Sequence, residues 1–341
     1  MSRAARLDAL IERGFSALAA GELEAAERKL TEARRIDARH PDVLLLDGAL
    51  LRERGDHARA LAVYERLIAQ HPDDPIGYIN AAEIHLDNLE PDAALELADQ
   101  ALERVDEEDD LVAAVLAKVG AHVLRGEDAD LAAAREALGE LASSAIDDPG
   151  IVLDIAGAHL AVGDPDSALG WYEKLTDDDE LGADAWHGIG LAREDLEDRP
   201  GMIDAFVEVL RRDADAPRPP WHISVDELDK IAAAALAELP EQIRTRLGNV
   251  PVLIDDLPSE ALVRDGLDPR LLGLFQGTPM PEQSSVGGAP SLTNIHLYHR
   301  NLERFARDAD ELSAEIRTTV IHETAHFFGL DDDDLAALGL D

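Results

Sequence analysis

A chain of 341 residues is longer than one average domain and points to two folded units. Its 72 acidic residues against 31 basic ones, a net charge of −41, argue against nucleic acid or an anionic membrane as partner. With 46% hydrophobic residues disorder is not expected over most of the length, and with no cysteine there is no disulfide framework, Cys-ligated zinc finger or Cys nucleophile.

The chain opens with MSRAARLDALIERGFSALAAGELEAAERKL, which alternates charged and apolar residues and never forms the apolar stretch of a secretory signal. Nothing later approaches the roughly 20 apolar residues of a membrane span. A cytoplasmic protein is expected.

Small residues then recur in a double comb. Gly14, Gly48 and Ala82 are 34 apart, and Ala26, Ala60 and Ala94 follow each by twelve. Gly120 with Ala132, Ala156 with Ala168, and Gly190 with Met202 continue the offset at intervals of 38, 36 and 34. Six units result, each reading as two helices joined by a turn. In PDVLLLDGALLRERGDHARALAVYERLIAQHPDD the residues Leu45, Gly48, Ala60, Tyr64, Leu67 and Pro72 fall at the positions of a 34-residue helical repeat. Small residues let paired helices approach, while Tyr64, Tyr172, Leu67 and Leu175 fill the space between pairs. Residues 1–212 therefore resemble a tetratricopeptide repeat (TPR) array of about six helix pairs. Such a solenoid implies a surface for a protein partner. Tyr64, Trp171, Tyr172 and Trp186 sit at core spacings and read as packing.

The stretch DADAPRPPWH, residues 213–222, concentrates proline and reads as a linker. Beyond it, residues 223–341 mix periods. SVDELDKIAAAALAELPEQIRTRL reads as a helix capped by Ser224 with Glu227 three residues on. VPVLIDDLP and LTNIHLYHR read as short strands, LLGLFQGTP as a strand or turn, and PMPEQSSVGGAP as a mobile loop. A last helix is predicted from near Asp310 to Gly329. This element order predicts a small α+β domain after an all-α array, predominantly α overall.

That helix carries VIHETAHFFGLDDDD. Residues four apart on a helix share a face, so the imidazoles of His322 and His326 can reach one metal ion. Glu323 then sits beside the metal, placed to take a proton from water rather than to coordinate. Gly329 turns the chain back, and three residues later Asp332 occupies the third-ligand position of H-E-x-x-H-x-x-G-x-x-H/D. Asp331, Asp333 and Asp334 are out of register; they read as solvated neighbours that favour a cation or substitute as its ligand. Two blander readings remain, a metal site without catalysis and an acidic helix end with two surface histidines.

HETAHFFGLDD, with IHLYHRNLE and LLGLFQGTP upstream in the same order, makes residues 223–341 similar to the small bacterial zincin-like metallopeptidase domain, a minimal relative of the metzincins. The resemblance implies one Zn2+ held by His322, His326 and Asp332, Glu323 as catalytic base, and a peptide or protein substrate. The Met-containing turn of larger metzincins has no counterpart, since the last methionine is Met280. NIHLYHR is read as a sheet edge where an extended peptide pairs. Its alternation puts Ile295, Leu297 and His299 on one face and His296, Tyr298 and Arg300 on the other. Tyr298 is a candidate for oxyanion stabilisation. His296 and His299 read as surface histidines, and His159, His187 and His222 have no constellation around them. The expected function is a zinc-dependent peptidase whose TPR array recruits substrate or regulator. The alternative is a TPR scaffold with a non-catalytic metal-binding domain.

Overall fold

The computed structural model describes residues 2–143, 146–247, 250–277 and 294–330. They fall into two units, Met1–Leu175 and Thr176–Asp341.

The first unit holds five helix pairs: α1 (Arg3–Ala19) with α2 (Leu23–Asp37), α3 (Pro41–Glu53) with α4 (His57–Gln70), α5 (Ile76–Asp87) with α6 (Pro91–Leu102), α7 (Glu108–Arg125) with α8 (Asp128–Gly139), and α9 (Pro149–Ala161) with α10 (Pro165–Tyr172). The comb is the packing code. A methyl group at Gly14 would collide with Leu46 and one at Gly48 with the Tyr64 ring, while Ala26, Ala60, Ala94 and Ala168 have no exposed surface. Tyr64, Leu67, Tyr172 and Leu175 are buried, as the spacing predicts.

Seven residues after Gly14, Gly48, Ala82 and Ala156 the backbone turns left-handed, at Gly21, Gly55, Leu89 and Gly163 (φ 70°, 70°, 59° and 70°). In the fourth pair the left-handed residue, Gly126, follows Gly120 by six. One residue is about 100° of helix rotation. The one-residue change is part of a larger rotation: Ala132, expected in the comb, faces solvent, and Ala134, two residues on, packs in the core with no exposed surface.

The second unit begins with the sixth pair, α11 (Gly182–Asp195) and α12 (Arg199–Asp215). It continues through α13 (Val225–Glu238), α14 (Glu241–Leu247), β1 (Val252–Asp255), α15 (Glu260–Arg264), β2 (Gly273–Gln276), β3 (Asn294–Tyr298), α16 (His299–Phe305) and α17 (Ala309–Phe327). Apolar contact and charge tie the sixth pair to these elements. Val263 of α15 is fully buried against Met202 and Phe206. His187 stacks on Phe206 and reaches Asp268 at 3.0 Å. Arg270 bridges Asp184 and Asp213 at 2.7 and 3.0 Å. The proline-rich stretch 213–222 accordingly runs inside this unit.

Ser224 and Glu227 form the reciprocal cap that starts α13. The helical run expected after it breaks at Pro240 into α13 and α14. The sheet order is β1-β3-β2, with β3 parallel to β1 and antiparallel to β2. This corrects the edge reading of NIHLYHR: β3 is the central strand and offers no free edge for a peptide. Ile295 and Leu297 point into a core shared with Leu312, Ile316 and Val320 of α17 and Leu228 of α13. The strand ends at Tyr298, so His299 opens α16 instead of continuing the alternation, and at 1% exposure it is no surface histidine. The stretch PMPEQSSVGGAP lies outside the described residues. Among those described, no helix is long and apolar enough to cross a membrane.

The shifted register of α8 is testable by chemical denaturation. Ala134→Leu should cost about 1–3 kcal/mol by overpacking, and Ala132→Leu should stay within about 0.5 kcal/mol as an ordinary surface change. Equal losses at both positions would contradict the packing described.

Candidate metal centre

α17 starts where the Asp308 carboxylate accepts the backbone N–H groups of Asp310 and Glu311 at 2.9 and 2.8 Å. It ends at Phe327, and the chain turns back at Gly329, whose φ of 78° suits glycine. Between them Leu312, Ile316 and Val320 bury one face, and the histidines lie on a flank of it.

His322 and His326 are half-buried, with ring centroids 4.6 Å apart and planes at 83°. Their Nε2 atoms are 3.0 Å apart. The left-handed turn at Gly329 brings the Leu330 carbonyl back to 3.0 Å from His326 Nδ1. A carbonyl only accepts, so it holds the proton on Nδ1 and leaves the Nε2 lone pair directed at His322. Two imidazoles bound to one tetrahedral zinc at 2.0–2.1 Å have nitrogens about 3.3 Å apart. The observed spacing and tautomer fit such an ion with a shift of a few tenths of an ångström.

Glu323, between the two histidines, is buried, and its Oε2 accepts the backbone N–H of Phe275 at 2.5 Å. The Phe275 ring packs edge-on against Phe327 at 6.0 Å, which keeps β2 beside α17. Contact this close needs a residue without a side chain: a Cβ at Gly273 would lie 2.7 Å from Thr319 Cγ2 and 2.9 Å from Glu323 Cγ. Gly273 and Phe275 were not singled out by the sequence. The available signal was an isolated glycine in a short apolar strand, which marks a close approach of backbone.

Asp332, the third predicted ligand, lies outside the described residues, as do Asp331, Asp333 and Asp334. Tyr298 is 1% exposed and its hydroxyl is buried. Burial, with Asp255 and Glu323 adding to it, pushes that hydroxyl up to about 12, so at neutral pH it keeps its proton. His296 is held by Asp255 at 2.8 Å and His159 by Asp164 at 3.1 Å.

Residues 247–340 match the model of the zincin-like metallopeptidase family. The zincin-like stretch takes in all three strands, α17 and the aspartate run. Residues 11–75 and 51–119 match tetratricopeptide-repeat models. Among solved structures, Pseudomonas aeruginosa pilF is 15% identical with a TM-score of 0.49, over 63% of this chain and 95% of its own. YrrB, a TPR protein with an unusual peptide-binding site, is 18% identical with a TM-score of 0.40, over 55% and 93%. MamA is 14% identical with a TM-score of 0.32, over 63% and 98%. No curated protein matches the chain.

A methyl group at Gly273 should displace the Glu323 side chain from the zincin-like helix. Gly273→Ala is expected to cost about 1–3 kcal/mol in thermal or chemical unfolding. Unchanged stability would mean that β2 and α17 do not meet as closely as described.

Proposed function

We propose that this chain is a zinc-dependent peptidase in which His322, His326 and Asp332 hold one Zn2+ and Glu323 is the general base. The observation that carries the reading is the pair of Nε2 atoms 3.0 Å apart, one with its tautomer set by Leu330, beside a carboxylate anchored on a strand. Zinc, when bound, supplies Lewis acidity to a substrate carbonyl and to a water molecule. The Phe275 N–H fixes one oxygen of Glu323 and so orients the carboxylate. From there Glu323 takes a proton from water and passes it to the leaving amine, which makes peptide or amide hydrolysis the natural reaction. A purely structural zinc site closes all four positions with ligands and has no use for an anchored base.

The TPR array is proposed to bind a protein, as substrate or as regulator, with a net charge of −41 favouring basic segments. A cytoplasmic location belongs to the same proposal.

Zinc content and peptide cleavage, measured together on the wild type and two variants, test the assignment. Glu323→Ala should keep its zinc and lose about 10²–10⁴-fold in turnover, the usual share of a general base. His326→Ala should lose both zinc and turnover. Cleavage by Glu323→Ala at the wild-type rate would remove the catalytic role.

A further inference from the structure

A second group of metal-ligand side chains lies in the same unit, built on other elements. α16 begins directly after β3, so His299 and Glu303, four apart, share a face one turn from each other. His299 Nε2 lies 2.9 Å from Glu303 Oε1, and both side chains are 1% exposed. From the proline-rich stretch His222 brings Nδ1 to 2.5 Å from the same oxygen, with its ring stacked on that of His299 at 5.4 Å. The ligand atoms all lie within 4.8 Å of one another. The His222 side chain is 43% exposed and opens the group to solvent.

The surrounding contacts explain every member except one. Arg218 Nη1 donates to Glu303 Oε2 at 2.7 Å, which orients the carboxylate and leaves Oε1 facing the imidazoles. Trp221 Nε1 donates to the Glu303 carbonyl at 3.2 Å, and the Ile223 N–H approaches Oε1 at 3.4 Å. His299 is the exception: both of its ring nitrogens are buried and neither makes a hydrogen bond, because the 2.9 Å approach to Oε1 lacks the alignment for one. A buried imidazole left in this state is costly, and its Nε2 faces an acceptor that is also electron-rich. A cation between them turns that repulsion into coordination.

We propose that His222 Nδ1, His299 Nε2 and Glu303 Oε1 form a second metal site, for a divalent transition cation of the Zn2+ type. Two imidazoles and one carboxylate select such an ion over Ca2+ or Mg2+, which take oxygen ligands. Solvent reaches the group on the side of His222. The effect of the ion is a cross-link that clamps the stretch carrying Arg218, Trp221 and His222 onto α16. His222 precedes the zincin-like match of residues 247–340 while His299 and Glu303 lie within it, but none of the three belongs to the first site, so the proposal does not depend on the catalytic reading.

The test uses the full chain carrying His322→Ala and His326→Ala, titrated with Zn2+ alone and then with Co2+ as a visible probe. One ion per chain should bind, and adding His222→Ala should weaken it by at least ~10-fold, the loss that even outer-shell changes bring. The Co2+ absorption should change in parallel. Glu303 keeps its bond from Arg218, so removal of His222 should leave the metal-free circular dichroism unchanged and lower the melting temperature only modestly. In the otherwise wild-type chain His222→Ala should remove one zinc while peptide cleavage persists, which separates failure here from failure of the first site. Zinc binding and Co2+ spectra indifferent to His222 would overturn the proposal.

Discussion

The hydrogen bond from the Phe275 N–H to Glu323 joins the sheet to α17 at the most demanding point of the second unit. A helix alone fixes which side chains share a face, but it leaves a glutamate free to choose among rotamers. Backbone from β2 removes that freedom, and it comes close enough only because Gly273 has no side chain. The antiparallel pairing of β2 with β3 then transmits the position of Phe275 to the core strand, where Ile295 and Leu297 are fully buried against α17. Helix, strand and carboxylate are thus placed by one set of contacts, and the two imidazoles inherit their positions from the helix.

The parts legible in the sequence were those decided over short range. A methyl group's worth of space at Gly14 or Gly48, a left-handed turn at Gly329 and the one-turn spacing of His322 and His326 are local consequences of residue type. The parts that escaped were decided by partners distant in the chain. Nothing within NIHLYHR says that β1 and β2 will flank it on both sides. Nothing around His222 says that it will meet Glu303, 81 residues on. Ala132 lies between these cases: the comb places it in the core, but α8, after a turn shorter by one residue, buries Ala134 instead.

The sixth helix pair shows how a repeat can change its allegiance without changing its internal code. Gly190 still makes room for Phe206 as Gly48 does for Tyr64. What differs is the outer surface of the pair, where Asp184 and Asp213 receive Arg270 and Arg304, and where Val263 fills the apolar gap. In a chain with more than two acidic residues for each basic one, Arg270 and Arg304 are both drawn to the same two aspartates, Asp184 and Asp213.

The central claim is that the end of α17 and the residues after Gly329 assemble one cation site. Anomalous diffraction at the zinc edge from crystals of the zinc-loaded chain tests it most directly. The account predicts a peak at about 2.0–2.2 Å from a ring nitrogen of each of His322 and His326 and from a carboxylate oxygen of Asp332. No peak between the two imidazoles, with Asp332 directed away from them, would contradict it.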